Sequence, residues 1–309
     1  MLCKKSLPCL KGISLNQLAP LVLYILLFST LLFCQPKENS VGDVEKHIEV
    51  KSITQRISLI KLGNDAIYSV ETPEGVGVID AGISNSLTSL YRKTLEHKLN
   101  RNDIAYLINT HSHWDHTGGN QVFSDAVIIG HINCVKEIND YWKEREKIKS
   151  RVLKIISNYE NQLNNIDPEW QDSLQIFLQK ERYRFVSNDL NNDRIITLPS
   201  KTFIDTMDLS IGDIRVHLKY FGKAHSNSDI LVYIPEEKVL FVGDLFMKFG
   251  KPSFSEVDAA DIRKWVSAKN WLNNRLENID IVLGGHGQIM DKNDLLSFIE
   301  YINSVIKKH

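Results

Sequence analysis

The chain has 309 residues, 43% apolar and 24% charged, which excludes a disordered or collagen-like polymer and leaves room for one large domain or two small ones. Its 37 basic and 38 acidic side chains give a formal charge of −1, so no broad cationic field exists to hold nucleic acid by counterion release, and no nucleic-acid partner is expected. The cysteines, Cys3, Cys9, Cys34 and Cys134, match neither a zinc knuckle nor a disulfide framework.

Lys4, Lys5 and Lys11 precede an uncharged, mostly apolar run from Leu18 to Phe33. A spanning helix needs about 20 residues, and this run is shorter, so residues 1–34 read as a secretory signal peptide or a membrane anchor. Leu31-Leu32-Phe33-Cys34 resembles a bacterial lipobox, in which the cysteine is lipidated and becomes the first mature residue, although Phe33 stands where a small residue is usual. The expectation is an extracytoplasmic protein anchored to the membrane through its N-terminus, with a periplasmic or secreted protein as the alternative. Removal of the leader leaves Cys134 as the remaining thiol, so no disulfide can form within the domain. Residues 35–47 are polar, contain Pro and Gly, and read as a linker.

From residue 48 to 309 the pattern is that of a folded domain. Ile57–Leu62, Ala66–Val70 and Val76–Ile79 read as short strands separated by Gly63-Asn64-Asp65 and Pro73-Glu74-Gly75. A helix over 86–99 and a buried strand over Ala105–Asn109 follow, and strand, helix, strand in that order implies a layered α/β domain. Residues 136–187 are rich in Lys and Glu, with apolar residues at helical intervals and a break at Asp167-Pro168. They read as a helical insertion of two helices, either packed on the domain or serving as a lid over a site. Beyond it, Ile211–Tyr220, Ile230–Ile234, Val239–Val242 and Ile281–Leu283 read as strands, with helices over 262–276 and 295–306.

The chemistry concentrates in His111-Ser112-His113-Trp114-Asp115-His116, directly after a strand. Imidazoles and a carboxylate this dense are costly to bury unless each finds a partner, and a metal satisfies them together. Extended backbone points His111 and His113 the same way, leaving Asp115 and His116 to turn toward a second position. Imidazole and carboxylate suit zinc or another first-row metal. Downstream, His225, Asp244 and His286 each sit just past an apolar strand, where layered α/β folds gather their sites.

With these motifs in this order, the chain resembles the metallo-β-lactamase superfamily of metal-dependent hydrolases over roughly residues 50 to 300. The resemblance implies an αββα sandwich with the site along one edge of its sheets. It implies one metal on His111, His113 and His225, another on Asp115, His116 and His286, and Asp244 between them, with Asp80 as a carboxylate bracing a ligand loop. Two zinc ions are expected, iron or manganese being alternatives, and a hydroxide between them would attack an ester, thioester, lactone or amide carbonyl of a small acyl substrate. Asp115 would help move a proton. Superfamily β-lactamases carry a cysteine or another non-bridging residue where Asp244 stands, lactonases a tyrosine where Met247 stands, and glyoxalase II enzymes a basic stretch only faintly matched by Lys248-Phe249-Gly250-Lys251. A single-iron sulfur dioxygenase of the same fold, or a non-catalytic surface-anchored binding protein, is the alternative. His47, His97, His131, His217 and His309 are expected to be structural or exposed. Trp114 could line the pocket or brace the loop, and Phe246, Met247 and Phe254 could form an apolar wall.

Overall fold

The computed structural model describes residues 44–167, 172–192, 196–246 and 259–308. The expected leader and Cys34, most of the expected linker, Met247, Phe254 and His309 lie outside the described residues. Among those described, no helix is long and apolar enough to cross a membrane.

Among the described residues, thirteen strands form two sheets. The first contains, in spatial order, β1 (Glu49–Ser52), β2 (Ile57–Leu62), β3 (Asp65–Thr72), β4 (Gly75–Ile79), β5 (Ile104–Ile108), β6 (Val127–His131) and β7 (Lys201–Phe203). The second runs β13 (Ile289–Met290), β12 (Ile281–Gly284), β11 (Val239–Gly243), β10 (Ile230–Ile234), β9 (Ile214–Tyr220) and β8 (Thr206–Ile211). Within the first sheet, β4 through β7 pair in parallel. In the second, β11 and β12 do so. Parallel strands deliver their C-terminal ends to the same edge, which is how residues far apart in sequence come to share a site.

Period-two burial fixes which side chains meet. In β9, Ile214, Val216, Leu218 and Tyr220 face inward while Arg215 is exposed. They join Ile57, Tyr68, Ile79 and Ile108 of the first sheet and Val232 and Phe241 of the second in one core between the sheets. Each buried aliphatic chain of this kind contributes about 1.5–3 kcal/mol. The opposite face of the second sheet, through Leu231, Leu240, Val242 and Val282, packs on Trp265 and Leu272 of α6 (Ala259–Asn273) and Phe298 and Ile302 of α7 (Lys292–Lys308). The first sheet is covered by α1 (Asn85–Leu99), which buries Leu87, Tyr91 and Leu95. Helix, sheet, sheet, helix is the αββα sandwich anticipated.

Three local readings change. The strand expected over 211–220 is β9, which begins at Ile214, and an unanticipated strand, β8, precedes it in a hairpin that turns at Gly212 with φ +55°. The short edge strands β1, β7 and β13 carry too little apolar patterning to show in the sequence. The insertion is longer and has three helices rather than two: α3 (Ile132–Trp142), α4 (Arg145–Asn165) and α5 (Ser173–Asn191). A turn of the short helix α2 (Trp114–Thr117) follows the histidine-rich stretch.

Candidate metal centre

Asp80 follows β4, the His111–His116 stretch follows β5, His225 lies between β9 and β10, Asp244 follows β11, and His286 follows β12. All of them converge. Ligand-capable atoms of His111, His113 and His225 lie within 4.8 Å of one another, as do those of His111, His116 and Asp244, and those of Asp115, His116 and His286. Asp244 reaches both sides: its Oδ2 is 3.6 Å from His225 Nε2, 3.4 Å from His116 Nε2 and 3.1 Å from His286 Nε2.

Two close approaches of backbone hold the loops together. Gly285 N–H donates to Gly243 O at 2.8 Å, and Ile230 N–H donates to Thr110 O at 2.9 Å, joining ligand loops from different strands. Gly243 adopts φ +54°, and a Cβ there would sit 2.9 Å from Thr110 Oγ1, so only glycine fits the corner that presents Asp244.

Hydrogen bonds around the imidazoles fix their tautomers. Asp80 accepts from Thr110 N at 2.7 Å and from Thr110 Oγ1 at 2.8 Å. Having donated its proton, Thr110 Oγ1 accepts from His111 Nδ1 at 3.1 Å, so the His111 Nε2 lone pair faces the site. His116 Nδ1 donates to Asp80 Oδ2 at 2.9 Å, and His286 Nδ1 donates to the Asn64 carbonyl at 2.8 Å, which turns both Nε2 atoms inward. The carboxylate at position 80 thus braces both ends of the Thr110–His116 ligand loop at once.

The donor set fits a cation. His113 Nδ1 lies 3.1 Å from His111 Nε2 and 2.9 Å from His225 Nε2, slightly less than the roughly 3.3 Å between nitrogens on a tetrahedral zinc with bonds of about 2.0–2.1 Å. One proton on His113 Nδ1 cannot bridge both contacts. His116 Nε2 and Asp244 Oδ1 are buried with no hydrogen-bond partner among the described residues, an expense that a bound ion removes. Burial pushes His111 well below the ordinary imidazole value, aided by His116; burial likewise lowers His113, and lowers His225 to about 4. All three are therefore neutral and ready to coordinate. Burial alone would lower His116 too, but Asp244 and Asp80 outweigh it and hold its pKa well above the usual range. For Asp244, burial is outweighed by His116 and His286, and its carboxyl stays ionised.

The helical insertion is built into this centre. Arg182 of α5, 5% exposed, donates from Nη2 to Asp115 Oδ2 at 3.2 Å and from Nε to Asp65 Oδ1 at 3.2 Å. Glu137 of α3 accepts from Asn227 N at 3.0 Å and Ser228 Oγ at 2.6 Å, just after His225. Asp189 accepts from Asn85 N at 2.6 Å at the start of α1. A cavity of about 380 Å³ opens beside the first triad, lined by His113 and His225 and by Ser112, Glu137, Tyr141 and Lys223. Trp114 stacks on Tyr141 at 6.0 Å and leans on Tyr183 at 6.1 Å, so it braces the ligand loop against the insertion while Tyr141 faces the cavity. Phe246 packs against Phe298, away from any role as a pocket wall. His131 stacks on Tyr220 at 3.7 Å and bonds Ile204 O, and His217 pairs with Asp208, as structural residues do.

A sequence model described as the metallo-β-lactamase superfamily matches residues 62–286. The chain belongs to the metallo-β-lactamase superfamily. This is a superfamily of hydrolytic metalloenzymes. A type 2 metallo-β-lactamase from Bacillus sp. (strain 170) is 22% identical over 269 residues, covering 86% of this chain and 84% of that protein. The type 2 enzyme of Bacillus cereus matches more locally, 27% identical over 31% of this chain and 37% of its own length. Among solved structures, a metallo-β-lactamase from Pontibacter korlensis superposes with a TM-score of 0.55 at 17% identity, over 85% of this chain and all of that one. The metallo-β-lactamase FIM-1 of Pseudomonas aeruginosa, in its mono-zinc form, gives 0.55 at 14% identity over 84% of this chain and 96% of that one. These structures share the metallo-β-lactamase fold.

Arg182, Glu137 and Asn64 are among the site residues that sequence reasoning missed. No motif marks them. The one available signal for Arg182 is its position in a helical insertion large enough to reach the ligand loops.

Proposed function

We propose that this protein is a dinuclear zinc hydrolase that attacks the carbonyl of a small acyl compound: an ester, thioester, lactone or amide. The observation that carries the reading is Asp244, whose carboxylate stands within 3.6 Å of imidazoles from both triads. His111, His113 and His225 would hold one ion, and Asp115, His116 and His286 the other. Metals bound there would lower the pKa of water from 15.7 to about 7 and polarise the carbonyl, supplying the nucleophile at neutral pH.

The chain's own residues do the rest. Asp80 and Thr110 orient His111 and His116, and Asn64 orients His286, so that the Nε2 atoms point inward before any substrate arrives. The cavity beside His113 and His225 seats the acyl group, with the Tyr141 ring as an apolar surface and Lys223 as a cation in its wall. Asp115 is the carboxylate assigned to proton movement, being the more accessible of those at the centre at 22% side-chain exposure, against 9% for Asp244 and 2% for Asp80. Its pKa lies below the ordinary carboxylate value because His116, Arg182 and His286 outweigh its burial. It therefore accepts a proton only in passing. The N-terminal leader supports an extracytoplasmic, membrane-anchored location.

The test is direct. Residues 35–309 are purified, assayed for metal content, and screened against lactone, thioester, β-lactam and phosphoester substrates. Two zinc ions per chain and chelator-sensitive turnover of an acyl substrate are expected. A single iron with oxygen consumption would favour the dioxygenase alternative, and zinc without turnover the binding protein.

A further inference from the structure

We propose that Arg182 is a positioning residue for Asp115 and thereby sets the affinity of the second cation position, so that the helical insertion governs how many metal ions the protein holds. The inference rests on the dinuclear reading above.

Arg182 sits midway along α5 and presents its guanidinium as a fork. One arm holds Asp65 and the other holds Asp115, each at 3.2 Å. Asp65 directly follows Asn64, whose carbonyl accepts from His286 Nδ1 at 2.8 Å. The tight turn Gly63-Asn64-Asp65 therefore carries both outer members of the second triad, His286 directly and Asp115 through Arg182. At Gly63 a Cβ would lie 3.1 Å from Gln179 Nε2 and 3.5 Å from Leu178 Cβ, so the turn packs directly against α5. The first triad is anchored elsewhere: His111 by Thr110, and the His225 loop by Glu137 and by Ser226 N donating to Asp229 Oδ2 at 2.6 Å.

A purely structural ion pair would need only Asp65. The second arm instead takes Asp115 Oδ2, the oxygen that lies 3.8 Å from His286 Nε2. A carboxylate oxygen has lone pairs enough to accept from an arginine and coordinate an ion together. Held this way, Asp115 cannot rotate its oxygen out of the triad. Lysine cannot substitute, because an ammonium is a point charge without the planar fork that spans two carboxylates.

Removing the guanidinium outright would also remove a cation from beside the metal, an effect of opposite sign. Arg182→Lys, which conserves charge, is therefore the decisive variant. The full domain, metal-stripped, is titrated with zinc alone by calorimetry, and bound zinc is counted after dialysis. We expect second-site affinity to fall about 10–100-fold, the usual loss for an outer partner of a metal ligand, with first-site affinity unchanged. Asp65→Asn, which frees the far arm, should give a smaller loss in the same direction, and the double variant less than the sum of the two. Unchanged second-site affinity in Arg182→Lys would overturn the proposal, as would an equal loss at both sites. If Arg182→Lys does not fold, Asp65→Asn decides by the same criteria. Wild-type protein binding a single zinc would overturn the dinuclear reading, and this proposal with it.

Discussion

Replacing Asp80 with asparagine changes one oxygen to NH2 and little else, yet the hydrogen bonds around it predict a specific failure. Asp80 accepts three hydrogen bonds, from Thr110 N, Thr110 Oγ1 and His116 Nδ1, and is 2% exposed. Its φ of +60° is one that Asn tolerates and Ala does not. In Asp80→Asn the remaining oxygen keeps the Thr110 N–H, and the new amide faces two former donors. Once metal binding expels one proton from His116, the wild-type ring keeps the other on Nδ1, whereas beside the amide His116 must accept at Nδ1 and keep its proton on Nε2, the atom aimed at Asp244 and the second metal position. A protonated Nε2 has no lone pair to offer. Loss of such an outer partner costs about 10–100-fold in metal affinity, or roughly 1.4–2.7 kcal/mol. The assay is zinc competition against a chromophoric chelator at neutral pH, with thermal unfolding of the metal-free protein as the fold control. Asp80→Ala is the harsher comparison, stranding three buried donors at about 1–3 kcal/mol each against a typical total stability of 5–15 kcal/mol. Wild-type zinc affinity at both sites in Asp80→Asn would refute the tautomer argument.

Metal uptake should depend on pH at one position only. His116 is held protonated in the metal-free protein by Asp244 and Asp80, so second-site binding must expel that proton and should strengthen as pH rises through neutrality; the imidazoles of the first triad are already neutral above about pH 6.5. Calorimetry in buffers of different ionisation enthalpy reads the released proton, and second-site affinity that is flat with pH would contradict it. The same raised value contributes stability to the metal-free protein that is full below about pH 6.5, the unfolded value, and is lost as pH rises through the folded one. Asp244→Ala should lose at least one metal and most hydrolysis while circular dichroism reports a retained fold; unchanged metal content would remove it from the bridging position. Gly285→Ala would place a Cβ 2.6 Å from His116 Cε1 and closer still to Asp244 Oδ1, so it should abolish second-site zinc binding in a dialysis assay. Gly119→Ala meets backbone instead, overlapping the Ala81 carbonyl with Thr88 Cβ at 2.5 Å, and should lower the unfolding temperature of the metal-free protein markedly.

What the sequence could reveal follows from where each property is stored. His111, His113, Asp115 and His116 are legible because they are adjacent, polar and follow an apolar strand, a combination that packing alone does not explain. His225, Asp244 and His286 are legible because each follows an apolar strand, and those ends reach one edge because β11 pairs with β12 in parallel and β9, two antiparallel pairings away, runs the same way as β11. The hairpin at Gly212 was hidden because β8 alternates exposed with half-buried residues through Ser210, an edge strand half in water whose pattern is too weak to read as a strand. Arg182 and Asn64 were hidden for a different reason. Asn64 acts through its backbone carbonyl, which any residue possesses, so its side chain carries no record of the contact with His286. Arg182 is an ordinary residue in a lysine- and glutamate-rich helix until the fold buries it between Asp65 and Asp115. Buried charge is costly unless paired, and that pairing is a property of three segments meeting. A motif records which atoms coordinate; the atoms that hold them still are written into packing, and the insertion is where this chain has put a share of them.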